Sequence, residues 1–426
     1  MSKYDLAVIG AGPGGYAAAV EAAGLGMKVA VYEKDAVGGV CLNWGCIPTK
    51  ALSATAAVLT NVQRSAEFGI NVNGYELDFA KAQERKDNVV KKLAFGIEML
   101  FKAKKIELIK AEAKIDKVDA KNILIATGSS PLQLPGMEFD GKTILSSTDM
   151  LGLESVPKSI LIIGGGAIGC EFASTFKTFG ADVTIVEMME QILPTEDAEI
   201  ARKLEQIFKK KGIKVFTKTT VEKMDKGKAI LSNGSMVLAE KILVSVGRVP
   251  SSGGLEGVIR DNKGWIKVDK DFKTNSKNIY AAGDVIGGIL LAHVASREAL
   301  CAVSHMAGKK STINYNVIPS CIFTYPEIAS VGLTQKQTEG ARSRKFLFSA
   351  IGKAHVLGET EGFIKLVVDT KTDKILGAQM IGPHVTELIS EIAPCVQFGL
   401  TSKKLASVIH AHPTLSEAIQ ECASVS

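Results

Sequence analysis

One pattern occurs twice in this chain and limits its possible folds more than any other feature. In each copy an apolar strand leads into a glycine-rich loop, a helix and a second apolar strand that ends in a glutamate. The first copy spans residues 5–33 and the second spans residues 159–187. This order of elements is the dinucleotide-binding fingerprint of a parallel α/β sheet. Two copies therefore predict two nucleotide-binding domains and two bound nucleotides.

The glycines of each copy have separate predicted roles. The first permits a tight turn, the second lets a pyrophosphate approach the backbone, and the last lets the helix pack closely on the strand. In that order they are Gly10, Gly12 and Gly15 in the first copy, and Gly164, Gly166 and Gly169 in the second. The helices are predicted to begin after the loops, at Tyr16 and Cys170. A helix–strand turn that uses glycine only for packing is the alternative, and the complete context disfavours it.

The acids that end the second strands indicate which nucleotides bind. A carboxylate at this position accepts a hydrogen bond from a ribose 2′-hydroxyl and repels a 2′-phosphate. Glu33 and Glu187 hold these positions, and no arginine cluster follows Glu187. The second site is therefore predicted to take NAD and not NADP.

Two cysteines, Cys41 and Cys46, lie close together in the segment 38–50. Five residues of regular α-helix rise about 7.5 Å, which is too far for a disulfide, so a bond between them requires an irregular turn. Gly45 gives the backbone freedom for that turn, and Pro48 suits the start of a following helix. Cys46 is then expected just before a helix N-terminus, where the dipole favours a thiolate. This favours a redox-active pair, with two buried, inert thiols as the alternative.

Composition excludes several classes of protein. A chain of 426 residues predicts two to four domains, and 51 basic against 45 acidic residues predict no nucleic-acid partner. Seven cysteines with one close pair do not form a disulfide framework for a secreted protein. We find no apolar run of membrane-span length and no signal peptide, so a cytoplasmic protein is expected.

Two further places in the chain have candidate functional residues. A predicted strand at 278–282 ends at Asp284, which is either a ligand-binding residue or the stabiliser of a turn. Near the C-terminus, His412 precedes a proline and Glu417 begins a predicted helix, an arrangement typical of a general base oriented by a carboxylate. His410 and His412 as metal ligands are the alternative, but a third ligand is missing, so no metal is predicted.

The chain resembles the flavoprotein disulfide reductases, and the likeness extends over nearly its whole length. The matching motifs are Gly10-x-Gly12-x-x-Gly15, Cys41-Leu42-Asn43-Trp44-Gly45-Cys46, Ala126-Thr127-Gly128, Gly164-x-Gly166-x-x-Gly169, Gly283-Asp284 and His410-Ala411-His412-Pro413-Thr414-x-x-Glu417. The resemblance implies an α/β fold and a two-fold homodimer. It also implies four domains: an FAD-binding domain (1–145), an NAD-binding domain (146–268), a small central domain that completes the FAD site (269–313) and an α+β dimerisation domain (314–426).

The same resemblance implies roles for individual residues. Cys41 and Cys46 form the redox disulfide, with Cys41 facing the substrate and Cys46 facing the flavin. Lys50 pairs with Glu171, and His412 with Glu417 serves the site of the partner subunit. The implied FAD contacts are Gly10, Gly12, Gly14, Gly15, Glu33, Lys34, Lys50, Ala113, Thr127, Gly128, Asp284 and Ala292. The implied NAD contacts are Gly164, Gly166, Ile168, Gly169, Glu187, Val221 and Gly247.

The members of the family that the motifs resemble most oxidise protein-bound dihydrolipoamide to lipoamide and reduce NAD. Their partners are the lipoyl domains of 2-oxo acid dehydrogenase or glycine cleavage complexes. The alternatives are a glutathione- or mercuric-reductase-like enzyme and a non-catalytic, flavin-bearing subunit of a complex. The chain departs from the family at residues 113–121, which leave almost no room for the usual β-meander, and Ala113 lies at the start of this departure.

Overall fold

The computed structural model describes residues 2–225 and 227–425, in which strands and helices alternate from the N-terminus. The first part contains β1 (Tyr4–Ile9), α1 (Pro13–Gly24), β2 (Val29–Glu33), α2 (Gly39–Trp44), α3 (Cys46–Gln63), α4 (Phe79–Ala103), β3 (Glu107–Lys110) and β4 (Ala120–Ile125). The second part contains β5 (Ser129–Pro131), β6 (Ile144–Leu145), α5 (Ser147–Leu151), β7 (Ser159–Ile163), α6 (Ala167–Thr178), β8 (Asp182–Val186), α7 (Ala198–Lys210) and β9 (Lys214–Phe216). It continues with β10 (Val221–Asp225), β11 (Lys228–Leu231), β12 (Met236–Leu238), β13 (Lys241–Val244) and β14 (Arg248–Pro250).

The remainder of the chain begins with one strand and one helix, followed by a β-rich segment and terminal helices. These elements are β15 (Ile279–Ala281), α8 (Ala292–Met306), β16 (Ser320–Ile322), β17 (Glu327–Gly332), β18 (Ala341–Leu347), α9 (Gly352–Leu357), β19 (Phe363–Asp369), β20 (Ile375–Gly382), α10 (Val385–Phe398), α11 (Ser402–Ala406) and α12 (Glu417–Ser424). Short 3-10 turns lie at Ser65–Phe68, Ile115–Lys117, Gly283–Ile286, Tyr315–Val317, Gln335–Gln337 and Phe348–Ala350.

The first sheet is parallel, with the strand order β15-β4-β1-β2-β3. Its central strand β1 is buried almost throughout, with Leu6 and Val8 fully inaccessible to solvent. Such a strand is a continuous apolar run because helices cover both faces of a parallel sheet. The late strand β15 joins this sheet, and α8 packs on α1. The predicted central segment therefore completes the first sheet, although the four domain boundaries remain a prediction.

The second sheet repeats the design in the order β6-β13-β7-β8-β9, and its strands are also parallel. Helix α6 buries Phe172 and Phe176 in a cluster of aromatic rings with Phe79 and Phe179. An antiparallel sheet of β10, β11 and β12 and a ladder of β5 with β14 accompany it. The predicted nucleotide-binding α/β architecture is therefore confirmed twice in one chain.

The C-terminal sheet is antiparallel, in the order β16-β17-β20-β19-β18. Helices α10 and α12 cover it, and the core between sheet and helices contains fully buried Phe348, Met380 and Ile419. This α+β architecture was expected for the last part of the chain. None of the helices in the described residues has the length and apolar character needed to cross a membrane.

Two local features concern the starts of the helices and the connection between β3 and β4. Helices α1 and α6 begin three residues earlier than predicted, at Pro13 and Ala167, because the last loop glycines already belong to the first helical turn. Strands β3 and β4 are joined only by the 3-10 turn Ile115–Lys117 and its flanking residues. The short connection expected from the sequence is therefore present.

Candidate active site

Residues 38–50, called the redox segment below, contain a break at Gly45 between the helices α2 and α3. Cys41 lies in α2 and Cys46 is the first residue of α3, and the two form a disulfide with their Cα atoms 4.7 Å apart. The irregular turn predicted from the spacing is thus a helix break, and Cys46 opens the second helix instead of preceding it. The side-chain amide of Asn43 donates to the carbonyls of Val37 and Gly39, both at 3.0 Å, which fixes the first helix. The disulfide is therefore held on the amino end of α3.

The redox segment lies directly on the first nucleotide loop. The amide of Gly38 donates to the carbonyl of Ala11 at 2.9 Å. A Cβ on Gly39 would lie 2.7 Å from the Cα of Gly12, closer than real Cβ contacts come. The two glycine positions therefore permit a backbone-to-backbone approach between the disulfide segment and the fingerprint loop.

One large cleft, of about 1530 Å³, connects the two fingerprints with the disulfide. Most of the predicted site residues line it, and they come from residues 10–292. They are Gly10, Gly12, Gly14, Glu33, Lys34, Cys41, Cys46, Lys50, Ala113, Thr127, Gly128, Gly164, Gly166, Ile168, Glu171, Glu187, Val221, Gly247, Asp284 and Ala292. Gly15 and Gly169 instead pack behind the loops, where a Cβ would overlap the carbonyl oxygens of Gly10 and Gly164. Those two glycines fit the predicted packing role.

The two strand-terminal acids are buried and make equivalent contacts. Glu33 accepts a hydrogen bond from the amide of Ala11 at 2.7 Å and a second from Asp35 at 2.9 Å. Glu187 accepts from the amides of Gly165 and Met189, both at 2.7 Å. Each carboxylate thus anchors the residue that follows the first loop glycine. The sequence predicts the acids, but it does not show that each one also fixes its own loop.

The cleft fits the two nucleotides that the fingerprints predict. A Cβ on Gly166 would meet no protein atom within 4 Å, and one on Gly12 would meet only Gly39 at 3.9 Å, so both positions open into the cleft. The hydroxyl oxygen of Thr127 is buried and has no hydrogen-bond partner in the described protein, which suits a contact with a bound group. The carboxylates, backbone amides and open glycines are the donor set that dinucleotides require.

Two residues that sequence reasoning missed hold Asp284 in place. Arg248 donates from Nε to the hydroxyl of Ser129 and from Nη2 to its carbonyl, both at 2.6 Å. The hydroxyl of Ser129 in turn donates to Asp284. Burial lowers the pKa of Arg248, and the nearby Asp284 opposes this effect. The only sequence signal for these residues is their position beside the predicted Gly128 and Gly247.

Lys50 and Glu171 form a close ion pair across the cleft. The ammonium of Lys50 lies 2.7 and 2.9 Å from the two carboxylate oxygens, and Glu171 is buried. The backbone amide of Phe323 donates to the same carboxylate at 2.9 Å, and the Phe323 ring lies 4.4 Å from the ammonium. The pair therefore joins α3, α6 and the segment after β16, and Phe323 is a contact that the sequence did not reveal.

His412 and Glu417 lie together but outside the cleft. Nδ1 of His412 is 2.8 Å from Glu417, whose other oxygen accepts from the amide of Thr414 at 2.8 Å. The hydrogen bond with His412 is the main reason that the pKa of Glu417 lies below its ordinary value. Because the carboxylate is an acceptor, Nδ1 carries the hydrogen and Nε2 is left free. The His412 side chain is 79% exposed, so its free nitrogen points away from this protomer's core.

The sequence profile of the pyridine nucleotide-disulphide oxidoreductases matches residues 4–299, and the profile of the dimerisation domain of the same family matches residues 318–423. The chain belongs to this family. A dihydrolipoyl dehydrogenase of Bacillus subtilis is 43% identical over 465 positions, covering 99% of this chain and 98% of that protein. The dihydrolipoyl dehydrogenase of Chlamydia pneumoniae is 42% identical, covering 97% and 95%. The mitochondrial enzyme of that name from Pisum sativum is 39% identical, covering 99% and 91%.

Two solved structures, one of them a flavoprotein disulfide reductase, have the same fold. LpdA from Mycobacterium tuberculosis superposes with a TM-score of 0.92 at 28% identity, covering 98% of both chains. The HOCl-induced flavoprotein disulfide reductase RclA from Escherichia coli gives a TM-score of 0.89 at 28% identity, covering 99% of this chain and 100% of its own. At least 39 of the 465 positions aligned with the Bacillus subtilis protein lie opposite gaps in this 426-residue chain, which is therefore shorter than that relative over the aligned region.

Family membership establishes the chemical class and the cofactors. The chain is an oxidoreductase and a flavoprotein with a redox disulfide, and it binds FAD and NAD(H). The dimerisation domain supports a homodimer. The assignment of single residues to each cofactor belongs to the proposal that follows.

Proposed function

We propose that this chain is a dihydrolipoyl dehydrogenase, which oxidises protein-bound dihydrolipoamide to lipoamide and reduces NAD to NADH. The observation that carries the proposal is the Cys41–Cys46 disulfide on the wall of a cleft that both nucleotide fingerprints line. Curated relatives with this activity in their name are 39–43% identical over nearly the whole chain. The activity also explains the separate His412–Glu417 pair, because a dithiol must lose protons before it reduces a disulfide.

In this proposal His412 begins the reaction on the site of the partner subunit. Its free Nε2 takes the proton of one substrate thiol, while Glu417 holds Nδ1–H and stabilises the resulting charge. The substrate thiolate attacks Sγ of Cys41, a bond forms between them, and the Cys41–Cys46 bond breaks with Cys46 leaving as a thiolate. This exchange gives a mixed disulfide between the substrate and Cys41.

The second substrate thiol completes the oxidation. It attacks the substrate sulfur of the mixed disulfide and gives its proton to the departing sulfur of Cys41. The substrate leaves as a disulfide, and the protein is left with a Cys41 thiol, a Cys46 thiolate and a protonated His412. Two electrons have moved from the substrate to the cysteine pair, and the position of Cys46 at the amino end of α3 favours its thiolate form.

The remaining predicted residues hold the cofactors and orient the redox pair. When bound, FAD supplies two-electron chemistry between a dithiol and a nicotinamide. The first loop, Glu33, Thr127 and Asp284 would hold FAD, and the second loop with Glu187 would hold NAD. Ala113 and Lys34 also line the cleft, and the proposal assigns both to FAD. Lys50, held by Glu171, places a positive charge about one helical turn after Cys46 in α3.

Assembly and location are further parts of the proposal. Because His412 is exposed and lies outside the cleft of its own protomer, a two-fold homodimer is needed to complete each site. The substrate is then the lipoyl domain of a 2-oxo acid dehydrogenase or glycine cleavage complex in the cytoplasm. The four domains with the boundaries predicted from the sequence divide these tasks.

The rival functions have weaker support. A glutathione-type reductase requires room for the 2′-phosphate of NADPH, and the buried Glu187 carboxylate opposes that phosphate. A mercuric reductase requires a pair of C-terminal cysteines, whereas Cys422 is fully buried and burial raises the pKa of its thiol to about 12. A non-catalytic subunit would lack an element of the site, whereas the six residues predicted to be catalytic are all present: Cys41, Cys46, Lys50, Glu171, His412 and Glu417.

An anaerobic titration of the purified flavoprotein tests the proposal. Dihydrolipoamide should reduce the enzyme by two electrons, and added NAD should then yield one NADH per active site, measured by its absorbance. The glutathione pair and NADPH serve as control substrates. Failure of dihydrolipoamide to reduce the enzyme, or a preference for NADPH over NADH, would contradict the proposal.

A further inference from the structure

The segment that presents His412 has little regular structure of its own. It lies between α11 and α12, and Ile409 and His412 project into solvent with exposed fractions of 94% and 79%. His410, between them, is the exception, because its side chain is only 5% exposed. This inward side chain ties residues 408–412 to the body of the domain, in addition to the hydrogen bonds from Val408 to Leu405 and from His412 to Glu417.

Both ring nitrogens of His410 have close partners. Nε2 lies 2.7 Å from a carboxylate oxygen of Glu391, and Nδ1 lies 3.0 Å from the carbonyl of Val408. Both partners are acceptors, so the imidazole satisfies them together only when each nitrogen carries a hydrogen. The ring then bears a positive charge that is paired with Glu391 and held at two points.

Glu391 is a firm anchor because it belongs to a well-packed helix. It lies in α10 between Ile389 and Ile392, which are buried in the core beneath the C-terminal sheet. The His410–Glu391 contact therefore connects the exposed segment to the core of the domain. Glu417, on α12, is a second acidic group near His410, and His410 contributes together with His412 to lowering the pKa of Glu417.

We propose that His410 and Glu391 form a positioning pair for the base His412. The pair fixes the direction in which the His412 side chain extends from its own protomer toward the active site of the partner subunit. This inference rests on the proposed function and adds two residues to it. A base that acts across a subunit boundary must be held within a fraction of an ångström of the position from which it can take the proton. Glu417 orients the ring of His412, whereas His410 fixes the backbone from which that ring extends.

The test uses FAD-loaded dimers of the variants His410→Leu, Glu391→Leu and Glu391→Gln, with the double leucine variant. Reduction by dihydrolipoamide and reduction by NADH are measured separately in a stopped-flow instrument. We expect both leucine variants to slow the dithiol reaction about tenfold, a part of the 10²–10⁴ that a general base supplies, with an unchanged KM. The double variant should be no slower than either one, because the two residues act as one unit. Reduction by NADH should stay within about twofold of the wild type, since it does not involve the base.

Two further variants separate positioning from folding. Glu391→Gln preserves the shape of the side chain, so it should fold and still slow the dithiol reaction because it cannot pair with a charged imidazole. His355→Gln is the matched control: His355 is exposed, in the same domain, and holds one backbone carbonyl at 2.7 Å, so this variant should behave as the wild type. A wild-type dithiol rate in Glu391→Gln or His410→Leu would overturn the inference, as would an equal loss in both half-reactions. A wild-type enzyme that does not react with dihydrolipoamide would instead refute the proposed function.

Discussion

Replacing Glu187 by glutamine should weaken NADH binding while leaving FAD in place. Glu187 is buried and accepts two backbone hydrogen bonds at 2.7 Å, from Gly165 and Met189. Glutamine has nearly the same shape, but its NH₂ group would face one of these two N–H donors. One hydrogen bond to a charged acceptor is lost, the other is weakened, and the second nucleotide loop loses an anchor.

The size of the effect follows from the two contacts. A hydrogen bond to a charged group contributes roughly 1.5–3 kcal/mol. If the lost hydrogen-bond energy destabilises only the loop conformation that binds the nucleotide, the Kd for NADH rises roughly 10- to 150-fold. A lost contact with a ribose hydroxyl changes the Kd in the same direction, so the lower end of this range is the minimum expected.

The duplicated fingerprint supplies a matched control within the same molecule. Glu33→Gln makes the same chemical change at the first loop, where Glu33 accepts from Ala11 and Asp35. Titration of the holoenzyme with NADH, followed by flavin fluorescence, measures the first effect, and FAD retention after gel filtration measures the second. Glu187→Gln should lose NADH affinity only, and Glu33→Gln should lose FAD retention with normal NADH affinity in the FAD-loaded fraction. Wild-type NADH binding in Glu187→Gln, or loss of FAD from it, would refute the reasoning.

Four further changes test other parts of the site. Cys46→Ser should retain FAD, measured by absorbance, yet abolish lipoamide turnover; normal turnover would remove Cys46 from the relay. His412→Gln should slow dithiol oxidation by about 10²–10⁴, the usual contribution of a general base, and an unchanged stopped-flow rate would exclude that role. Because the hydrogen bond with His412 holds the pKa of Glu417 below its ordinary value, the carboxylate is ionised at neutral pH and orients His412; Glu417→Gln should therefore slow dithiol oxidation at about pH 8, and an unchanged stopped-flow rate would contradict this. Gly169→Ala should impair NADH binding but not FAD content, because its Cβ would overlap the carbonyl of Gly164 and overpacking costs about 1–3 kcal/mol; normal NADH titration of this variant would show that the loop can adjust.

The sequence predicted those parts of the fold that local patterns encode. Strands β7 and β8 lie at the two ends of the predicted second copy, residues 159–187, because a continuous apolar run between polar and glycine residues marks a buried parallel strand. Helix starts were less accurate, since the glycines that form the fingerprint turn also enter the first helical turn. The helix break at Gly45 was predicted only as an irregular turn, because spacing alone does not select a particular backbone path.

Contacts between segments that are far apart in the sequence could not be predicted from local patterns. Lys50 and Glu171 are 121 residues apart, and only the family resemblance paired them. Nothing in the sequence indicated that Phe323 would join this pair, that Arg248 would hold Ser129 beside Asp284, or that Glu391 would pair with His410. Each of these contacts depends on how separate layers of the fold meet, which no periodic pattern or short motif records.

The contact between Gly12 and Gly39 limits how this protein can be recombined with its relatives. A chimera that received only residues 38–50 from another flavoprotein would place a new surface against the old nucleotide loop, with no side-chain layer to absorb a mismatch. A donor with a Cβ at the position of Gly39 would force the two backbones apart and move the disulfide with them. The crossover points of a working chimera therefore lie before Gly10 and after Lys50, so that the redox turn and the first loop are inherited as one block.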